Sequence, residues 1–192
     1  KALVEAHDVG VLHRDLKPGN IIFVAEPGER HPVPRVLDFG IAKVLGSTGD
    51  PRDLSGLIRP DGTFEGRVYC TPAYAAPELL RGKPDYRTDL YALGLVLTEM
   101  MEGELPYDWD GDDMADSPHL WPEPVPLGQK ISRSPLRPII ERAVAKELDD
   151  RYADAREMLQ DLERVYRGGK DSTPSPPPLS LNDLESRIEK QT

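Results

Sequence analysis

The sequence predicts a mainly α-helical fold with one small β-hairpin, and three patterns lead to that prediction. Residues 87–103 are apolar almost all round in the middle of the run, which is typical of a buried helix. Two stretches, at 135–148 and 152–166, repeat their apolar residues at helical spacing and are amphipathic. A short β-branched and aromatic run at 21–24 and the short run "VL" at 36–37 predict strands, and the Pro- and Gly-rich segment between them favours a turn.

The remaining elements are shorter. Residues 1–8 indicate the end of an amphipathic helix, which Gly10 is suited to terminate. Segment 72–80 predicts a bend followed by a short helix. Two long segments, 44–70 and 104–134, are rich in turn-forming residues and predict loops, the second with one short helix. This order places the hairpin near the N-terminal end of a helical body.

The composition divides the chain into one domain at 1–167 and a linker at 168–192. The linker begins with two glycines and continues as "KDSTPSPPPLS", which is rich in Pro and Ser. Its "PSPPP" run at 174–178 suits either a plain linker or a ligand for a Pro-recognising module, and the composition favours the plain linker. Residues 180–190 are a candidate for the start of a further helix.

The charge and the cysteine content bear on partners and location. The sequence has 34 acidic and 24 basic residues, for a net charge of −10. Phosphate backbones attract basic surfaces, so this charge argues against nucleic acid as the main partner. No apolar run reaches membrane-spanning length, no signal peptide is visible, and the single cysteine, Cys70, fits a reducing compartment. We expect a cytoplasmic protein, or one at the cytoplasmic face of a membrane if a longer parent carries an anchor.

Three short motifs concentrate the polar chemistry. The run "HRDLKPGN" at 13–20 places a carboxylate, an ammonium, a guanidinium and an amide close together. The triplet "DFG" follows the second predicted strand, and "APE" at 76–78 follows the long loop. Asn20 and Asp38 offer the hard oxygen ligands that Mg²⁺ prefers. A hairpin between them brings the two residues side by side, so the sequence predicts a divalent-metal site there.

The three motifs, in this order, resemble the catalytic loop, the metal-binding loop and the end of the activation segment of protein kinases. The resemblance covers roughly residues 1–167 and is closest to the serine/threonine branch, because Lys17 stands two positions after Asp15. The runs "DFGIAK" and "RYADAREMLQDLERV" resemble those of bacterial signalling kinases. It implies that Asp15 orients the substrate hydroxyl and accepts its proton, and that Lys17 neutralises charge on the transferring phosphate. It further implies ATP, Mg²⁺ or Mn²⁺ held by Asn20 and Asp38, and a protein substrate with Ser or Thr.

Further residues gain expected roles from the resemblance. His13 is expected to be a packed scaffold residue, and Thr71 to form a hydrogen bond near the catalytic Asp and Lys. Phe39 and Gly40 complete the metal-binding loop. Arg14 either pairs with a phosphate on the activation loop or is a plain surface residue. The candidate phosphate acceptors are the loop hydroxyls of Ser47, Thr48, Ser55 and Thr63.

Two charged residues are expected to support the site from a distance. Asp89 is expected to open the buried helix as an N-terminal carboxylate, and by resemblance also to accept backbone N–H bonds from the catalytic loop. Arg151 resembles the arginine that pairs with the glutamate of the APE motif, here Glu78. The alternative for Arg151 is a helix-capping role.

The sequence lacks two motifs with which protein kinases bind ATP. It contains no G-x-G-x-x-G loop and no V-A-x-K strand, which in that family precede the catalytic loop. The resemblance therefore implies the C-terminal, helical lobe of the protein-kinase-like fold, with the N-terminal β lobe truncated or separately encoded. On this interpretation the chain alone is a kinase fragment that binds ATP poorly and turns over little.

Two other functions compete with that interpretation. A non-catalytic scaffold or regulatory remnant would bind a protein partner, yet it has no physical need for the complete set of Asp15, Lys17, Asn20 and Asp38. A small-molecule kinase has a related catalytic loop. Lys17 and the segment 71–78 argue against it, because in the resembling family that segment holds a peptide near the reacting hydroxyl.

Overall fold

A computed structural model of the chain describes residues 1–39, 70–109 and 114–170. Its described part is a helical body with one two-stranded antiparallel sheet. The helices and strands, in chain order, are α1 (Ala2–Asp8), β1 (Ile21–Val24), β2 (Val33–Val36), α2 (Pro77–Leu80), α3 (Tyr86–Glu102), α4 (Gln129–Ser132), α5 (Arg137–Ala143) and α6 (Ala155–Lys170). Short 3₁₀ turns occupy Pro18–Asn20, Pro72–Tyr74, Met114–Asp116, Pro118–Leu120 and Leu148–Asp150.

Helix α3 is the centre of the body, and its ends lie within one residue of the predicted bounds. Asp85 is its N-cap, because the Asp85 carboxylate accepts a 2.8 Å hydrogen bond from Arg87 N. The hydroxyl of Thr88 in turn accepts from Asp85 N at 3.0 Å, which completes a capping box. Gly103 ends the helix with a φ of 90°, a left-handed conformation that glycine adopts without steric cost.

The middle of α3 is buried on nearly all sides, as its sequence predicts. Leu90, Tyr91 and Leu95 are 0% exposed, and α3 packs against α4, α5 and α6. The crossing with α5 is close at Gly94, where a Cβ atom would stand 2.6 Å from the side chain of Val144. Glycine is therefore required at this position by packing, because any side chain would press α5 away.

The predicted hairpin is present, with β1 at its predicted bounds and antiparallel pairing to β2. The sequence predicts the second strand only over 36–37, but β2 starts at Val33, inside the Pro-rich segment. Leu37 N donates to Asn20 O at 2.8 Å, so these two residues form a hydrogen-bonded pair. From this pair along the hairpin, non-hydrogen-bonded and hydrogen-bonded pairs alternate. The pair Phe23–Pro34 then falls on a non-hydrogen-bonded position, where proline loses no ladder bond.

The C-terminal helices differ from the prediction at their ends. Helix α5 stops at Ala143, residues 144–147 are not helical, and a 3₁₀ turn begins only at the last residue of the predicted run, Leu148. Helix α6 continues to Lys170 instead of ending at 166. Within the three described ranges, no helix is both long and apolar enough to cross a membrane. Residues 171–192, with the predicted linker and further helix, and 40–69, with most of the predicted long loop, lie outside the described residues.

Candidate active site

One hydrogen-bonded cluster contains three of the predicted site residues, Asp15, Lys17 and Thr71. Thr71 N and Thr71 Oγ1 both donate to Asp15 Oδ1, at 2.6 and 2.9 Å. Lys17 Nζ donates to Thr71 Oγ1 at 2.7 Å and lies 3.4 Å from Asp15 Oδ2. An ammonium and a carboxylate are thus held a short distance apart by a residue that is 56 positions away from Asp15 in sequence. The attraction between the two opposite charges partly offsets the free-energy cost of holding them close together.

Asn20 lies beside this cluster, at the open end of the hairpin, opposite the turn. It ends the 3₁₀ turn Pro18–Asn20, and its amide Nδ2 donates to Asp15 O at 2.8 Å. That bond uses the amide nitrogen, so the oxygen Oδ1 is the atom of this amide with the chemistry of a metal ligand. Because Leu37 N is bonded to Asn20 O, Asp38 follows the residue paired with Asn20. Asp38 is exposed and has a φ of 52°, a strained backbone of the kind that collects at functional sites.

Asn20 and Asp38 have the chemistry that a magnesium ion needs. A protein Mg²⁺ site uses one or two carboxylates, and phosphate and water supply the remaining oxygen ligands. In the described part of the chain, no group of three or more His, Cys, Asp and Glu forms an all-protein metal centre. An amide oxygen and a carboxylate at the end of a hairpin fit a metal that arrives with a nucleotide.

Asp89 supports the catalytic loop from below. The carboxylate is 0% exposed and accepts hydrogen bonds from His13 N and Arg14 N, both at 2.8 Å. His7 Nε2 lies 2.9 Å from the same carboxylate. The two backbone bonds hold Arg14 at a φ of 65°, which turns the chain towards Asp15. Asp89 is an acidic residue in the first turn of α3, as expected of an N-terminal carboxylate, but it does not begin the helix, because Asp85 is the N-cap.

His13 connects the catalytic loop to the end of the hairpin. It is 0% exposed, and its Nε2 lies 2.8 Å from Leu37 O. A carbonyl only accepts, so Nε2 carries the proton, and Nδ1 accepts from Asp15 N at 3.3 Å. The His13 ring also stands 5.0 Å from that of Phe39. The residues on either side of Asp38 are thereby tied to the segment that carries Asp15.

Glu78 and Arg151 form a buried bidentate ion pair. Arg151 Nη1 and Nη2 donate to the two Glu78 oxygens at 2.8 and 3.0 Å, and both side chains are at most 7% exposed. Thr88 Oγ1 donates to Glu78 Oε1 at 2.8 Å, and the guanidinium stacks over Tyr91 at 4.7 Å. Arg151 also caps the 3₁₀ turn Leu148–Asp150, so both expected roles meet in one residue. The pair fixes α2 and the preceding segment to the helical body.

Two other predicted site residues need separate comment. The guanidinium-bearing Arg14 is 7% exposed, so its interpretation as a plain surface residue is wrong. Its pairing with an activation-loop phosphate stays a prediction, because the four candidate hydroxyls lie outside the described residues, as does Gly40. Cys70 is half-buried and packs against a cluster of buried side chains that includes Ala75, Leu79 and Tyr91.

Sequence reasoning missed several contacts around segment 71–74. Tyr74 Oη donates to Glu99 Oε2 at 2.5 Å, and His119 Nε2 lies 3.1 Å from Ala73 O. Burial and then the Glu99 carboxylate raise the pKa of Tyr74 well above its usual range. A local signal existed only for Thr88, whose spacing from Asp85 is that of a capping box. The other partners are far apart in sequence, and no local pattern connects them.

Comparison with known proteins identifies the family. The protein kinase domain family matches residues 1–161, so the chain belongs to the protein kinase family, and the fold is protein-kinase-like. The serine/threonine-protein kinase pkn3 of Myxococcus xanthus is 39% identical over 181 residues, which cover 90% of this chain and 31% of that protein. The serine/threonine-protein kinase PknB of Mycolicibacterium smegmatis is 34% identical over 177 residues, or 91% of this chain and 26% of that protein.

A third relative shows the same proportions. The serine/threonine-protein kinase PknB of Mycobacterium tuberculosis is 33% identical over 188 residues, which cover 96% of this chain and 27% of that protein. The chain thus spans about a third or less of the length of these curated relatives. These relatives are bacterial kinases, as the sequence predicts from its motifs.

Proposed function

We propose that this chain is the C-terminal lobe of a serine/threonine protein kinase, which transfers the γ-phosphate of ATP to a Ser or Thr hydroxyl of a protein. The observation that carries the proposal is the cluster in which Thr71 joins Asp15 to Lys17, with Asn20 bonded to Asp15 O. A scaffold gains nothing from holding an acid, an ammonium and a metal-ligand amide at one point. Family membership and the three kinase relatives agree with this function.

Asp15 acts on the substrate hydroxyl. Its Oδ1 is fixed by two donors from Thr71, which sets the orientation of the carboxylate plane. The substrate hydroxyl donates its proton to the carboxylate as its oxygen bonds to the γ-phosphorus, while the bond from phosphorus to the bridging oxygen breaks and ADP leaves. Because the transition state is loose, positioning matters more than base strength, and a carboxylate is sufficient.

Lys17 stabilises the charge on the group in transfer. Its ammonium is held at 2.7 Å by the Thr71 hydroxyl, on the side of Asp15 that faces the segment 71–74. The γ-phosphoryl oxygens carry the negative charge in the transition state, and a fixed cation beside them lowers its energy. Thr71 thus aligns both the acid and the cation with one side chain.

Asn20 and Asp38 would hold the metal that accompanies the nucleotide. The Asn20 amide nitrogen is committed to Asp15 O, so its oxygen is the atom that faces a cation. The Asp38 carboxylate follows the strand residue paired with Asn20 and is exposed. When bound, Mg²⁺ or Mn²⁺ neutralises charge on the nucleotide phosphates. The task of these two residues is to place that charge beside Asp15.

The experiment that tests the function is the substitution Asp15→Asn in the parent protein that carries a complete kinase domain. The residues by which kinases cover the ATP phosphates are not among the 192 of this sequence, so an ATP-dependent assay needs that parent. We expect Asp15→Asn to lower kcat for a generic Ser/Thr protein substrate by about 10²- to 10⁴-fold.

Asp8→Asn is the matched control, because Asp8 is more than half exposed and pairs only with Arg156 at the surface among the described contacts. It makes the same chemical change and should leave kcat unchanged. Phosphorylation that survives Asp15→Asn would refute the role of Asp15. A wild-type parent without any transfer would instead favour the scaffold.

A further inference from the structure

His119 is a buried histidine that contacts the segment 71–74 on the side away from Asp15. It lies in the 3₁₀ turn Pro118–Leu120 and is 1% exposed. Its Nε2 is 3.1 Å from Ala73 O, and its Nδ1 is 2.9 Å from Tyr91 Oη. A carbonyl only accepts, so Nε2 carries the proton. Nδ1 then accepts from the Tyr91 hydroxyl, and the contacts define one tautomer.

The surroundings of His119 leave the ring one orientation. Its ring meets those of Tyr107 and Trp109 edge-on, with centroids 5.2 and 6.4 Å away. Ser117 Oγ accepts from His119 N at 3.3 Å, and Lys146 Nζ donates to His119 O at 3.0 Å. Backbone and ring are therefore both fixed, as a residue that sets the position of another group requires.

The segment 71–74 is held at three of its four residues. Thr71 binds the catalytic carboxylate, Ala73 O binds His119, and Tyr74 Oη binds Glu99 at 2.5 Å. The second and third attachments both lead to α3, through Tyr91 and Glu99. If the attachment at Ala73 is removed, the middle of the segment is released while its two ends stay bonded.

We propose that His119 is a positioning residue for phosphoryl transfer: as the Nε2–H tautomer it holds the Ala73 carbonyl, and so fixes Thr71 beside Asp15 and the adjoining surface that receives the peptide. The inference rests on the proposed kinase function and adds a residue to it. Burial, and then Lys146, lower the pKa of His119 to about 4, so the ring is neutral at physiological pH. Among the residues that the structure describes, the other titratable groups that face the ring are the phenols of Tyr91 and Tyr107, which are neutral at that pH.

The test compares His119→Phe with His119→Gln in the parent protein with a complete kinase domain. Phe keeps an aromatic ring but offers no N–H to Ala73 O, whereas the Gln amide donates and accepts like the neutral imidazole. We expect His119→Phe to raise KM for a peptide substrate about tenfold, the effect of losing one buried hydrogen bond. KM for ATP should stay within about twofold, and His119→Gln should restore most of the peptide KM.

Tyr107→Phe is the matched control, because it removes a hydroxyl from a ring that touches His119 without removing a hydrogen bond to its nitrogens. It should leave both KM values unchanged. Equal changes in the two KM values, or failure of Gln to rescue, would make His119 merely structural and overturn the proposal.

A measurement on the unaltered parent keeps the proposal testable if His119→Phe does not fold. Long-range ¹H–¹⁵N NMR distinguishes a protonated from an unprotonated ring nitrogen. The proposal requires the Nε2–H tautomer, and a proton on Nδ1 at neutral pH would contradict it. An inactive wild-type parent refutes the kinase function itself, whereas an active parent with a normal peptide KM in His119→Phe refutes only this inference.

Discussion

The buried pair of Glu78 and Arg151 gives the largest stability effect that the structure predicts. The substitution Glu78→Gln keeps the size and shape of the side chain and removes its charge. Gln retains one oxygen for Arg151 Nη1, but its amide NH₂ then faces Nη2, which also only donates. The guanidinium, 0% exposed, is left with an uncompensated charge.

The magnitude follows from that geometry. Breaking a buried ion pair by removing one partner costs about 3–5 kcal/mol of unfolding free energy. Arg151 keeps its bonds to Ala145 O and Lys146 O, at 2.6 and 3.1 Å, so part of its hydrogen bonding survives. We therefore expect the lower half of that range, about 3–4 kcal/mol. For a domain with a stability of about 5–15 kcal/mol, this is a large fraction.

Urea unfolding of the chain, followed by tryptophan fluorescence and extrapolated linearly to water, measures the loss. The matched control is Glu141→Gln. Glu141 accepts from Arg137 at 2.7 Å, but its side chain is 46% exposed, so we expect a loss below about 0.5 kcal/mol. If Glu78→Gln costs no more than the control, the burial argument is wrong.

Two further predictions concern packing and pH. Gly94→Ala should lower the unfolding free energy by about 1–3 kcal/mol, because the new methyl group overlaps Val144, and Val144→Ala in the same chain should recover part of the loss. His119 should make the fold less stable as the pH falls from 6.5 towards about 4, because the unfolded chain takes up its proton first. This loss of unfolding free energy reaches about 3 kcal/mol. Gln does not titrate, so the unfolding free energy of His119→Gln should rise relative to that of the wild type as the pH falls through this interval. Urea titrations at successive pH values measure the difference. A constant difference across the interval would show that His119 does not carry this pH dependence.

The sequence predicts those parts of the fold that local patterns specify. The bounds of α3 follow from an apolar run closed by a capping residue and Gly103, and β1 from a single β-branched run. The sequence does not predict the start of β2. Pro34 can lie in the strand only at a non-hydrogen-bonded pair, and the sequence does not show which pairs are hydrogen-bonded. The end of α6 was missed because its two glycines lie inside the helix.

The candidate site divides in the same way. The cluster of Asp15, Lys17 and Thr71 was predictable because the motifs that carry these residues are continuous and ordered. The contacts of Ala73 with His119 and of Tyr74 with Glu99 were not, because each joins residues 25 or more positions apart with no motif around them. Tertiary packing alone brings them together.

The central claim is that Asn20 and Asp38 bind one divalent cation beside Asp15. The most direct test is anomalous diffraction from Mn²⁺ in crystals of the parent kinase with a non-hydrolysable ATP analogue. We expect a manganese peak within about 2–2.3 Å of both the Asn20 amide oxygen and the Asp38 carboxylate. A peak bound to neither residue, with nucleotide present, would contradict the account.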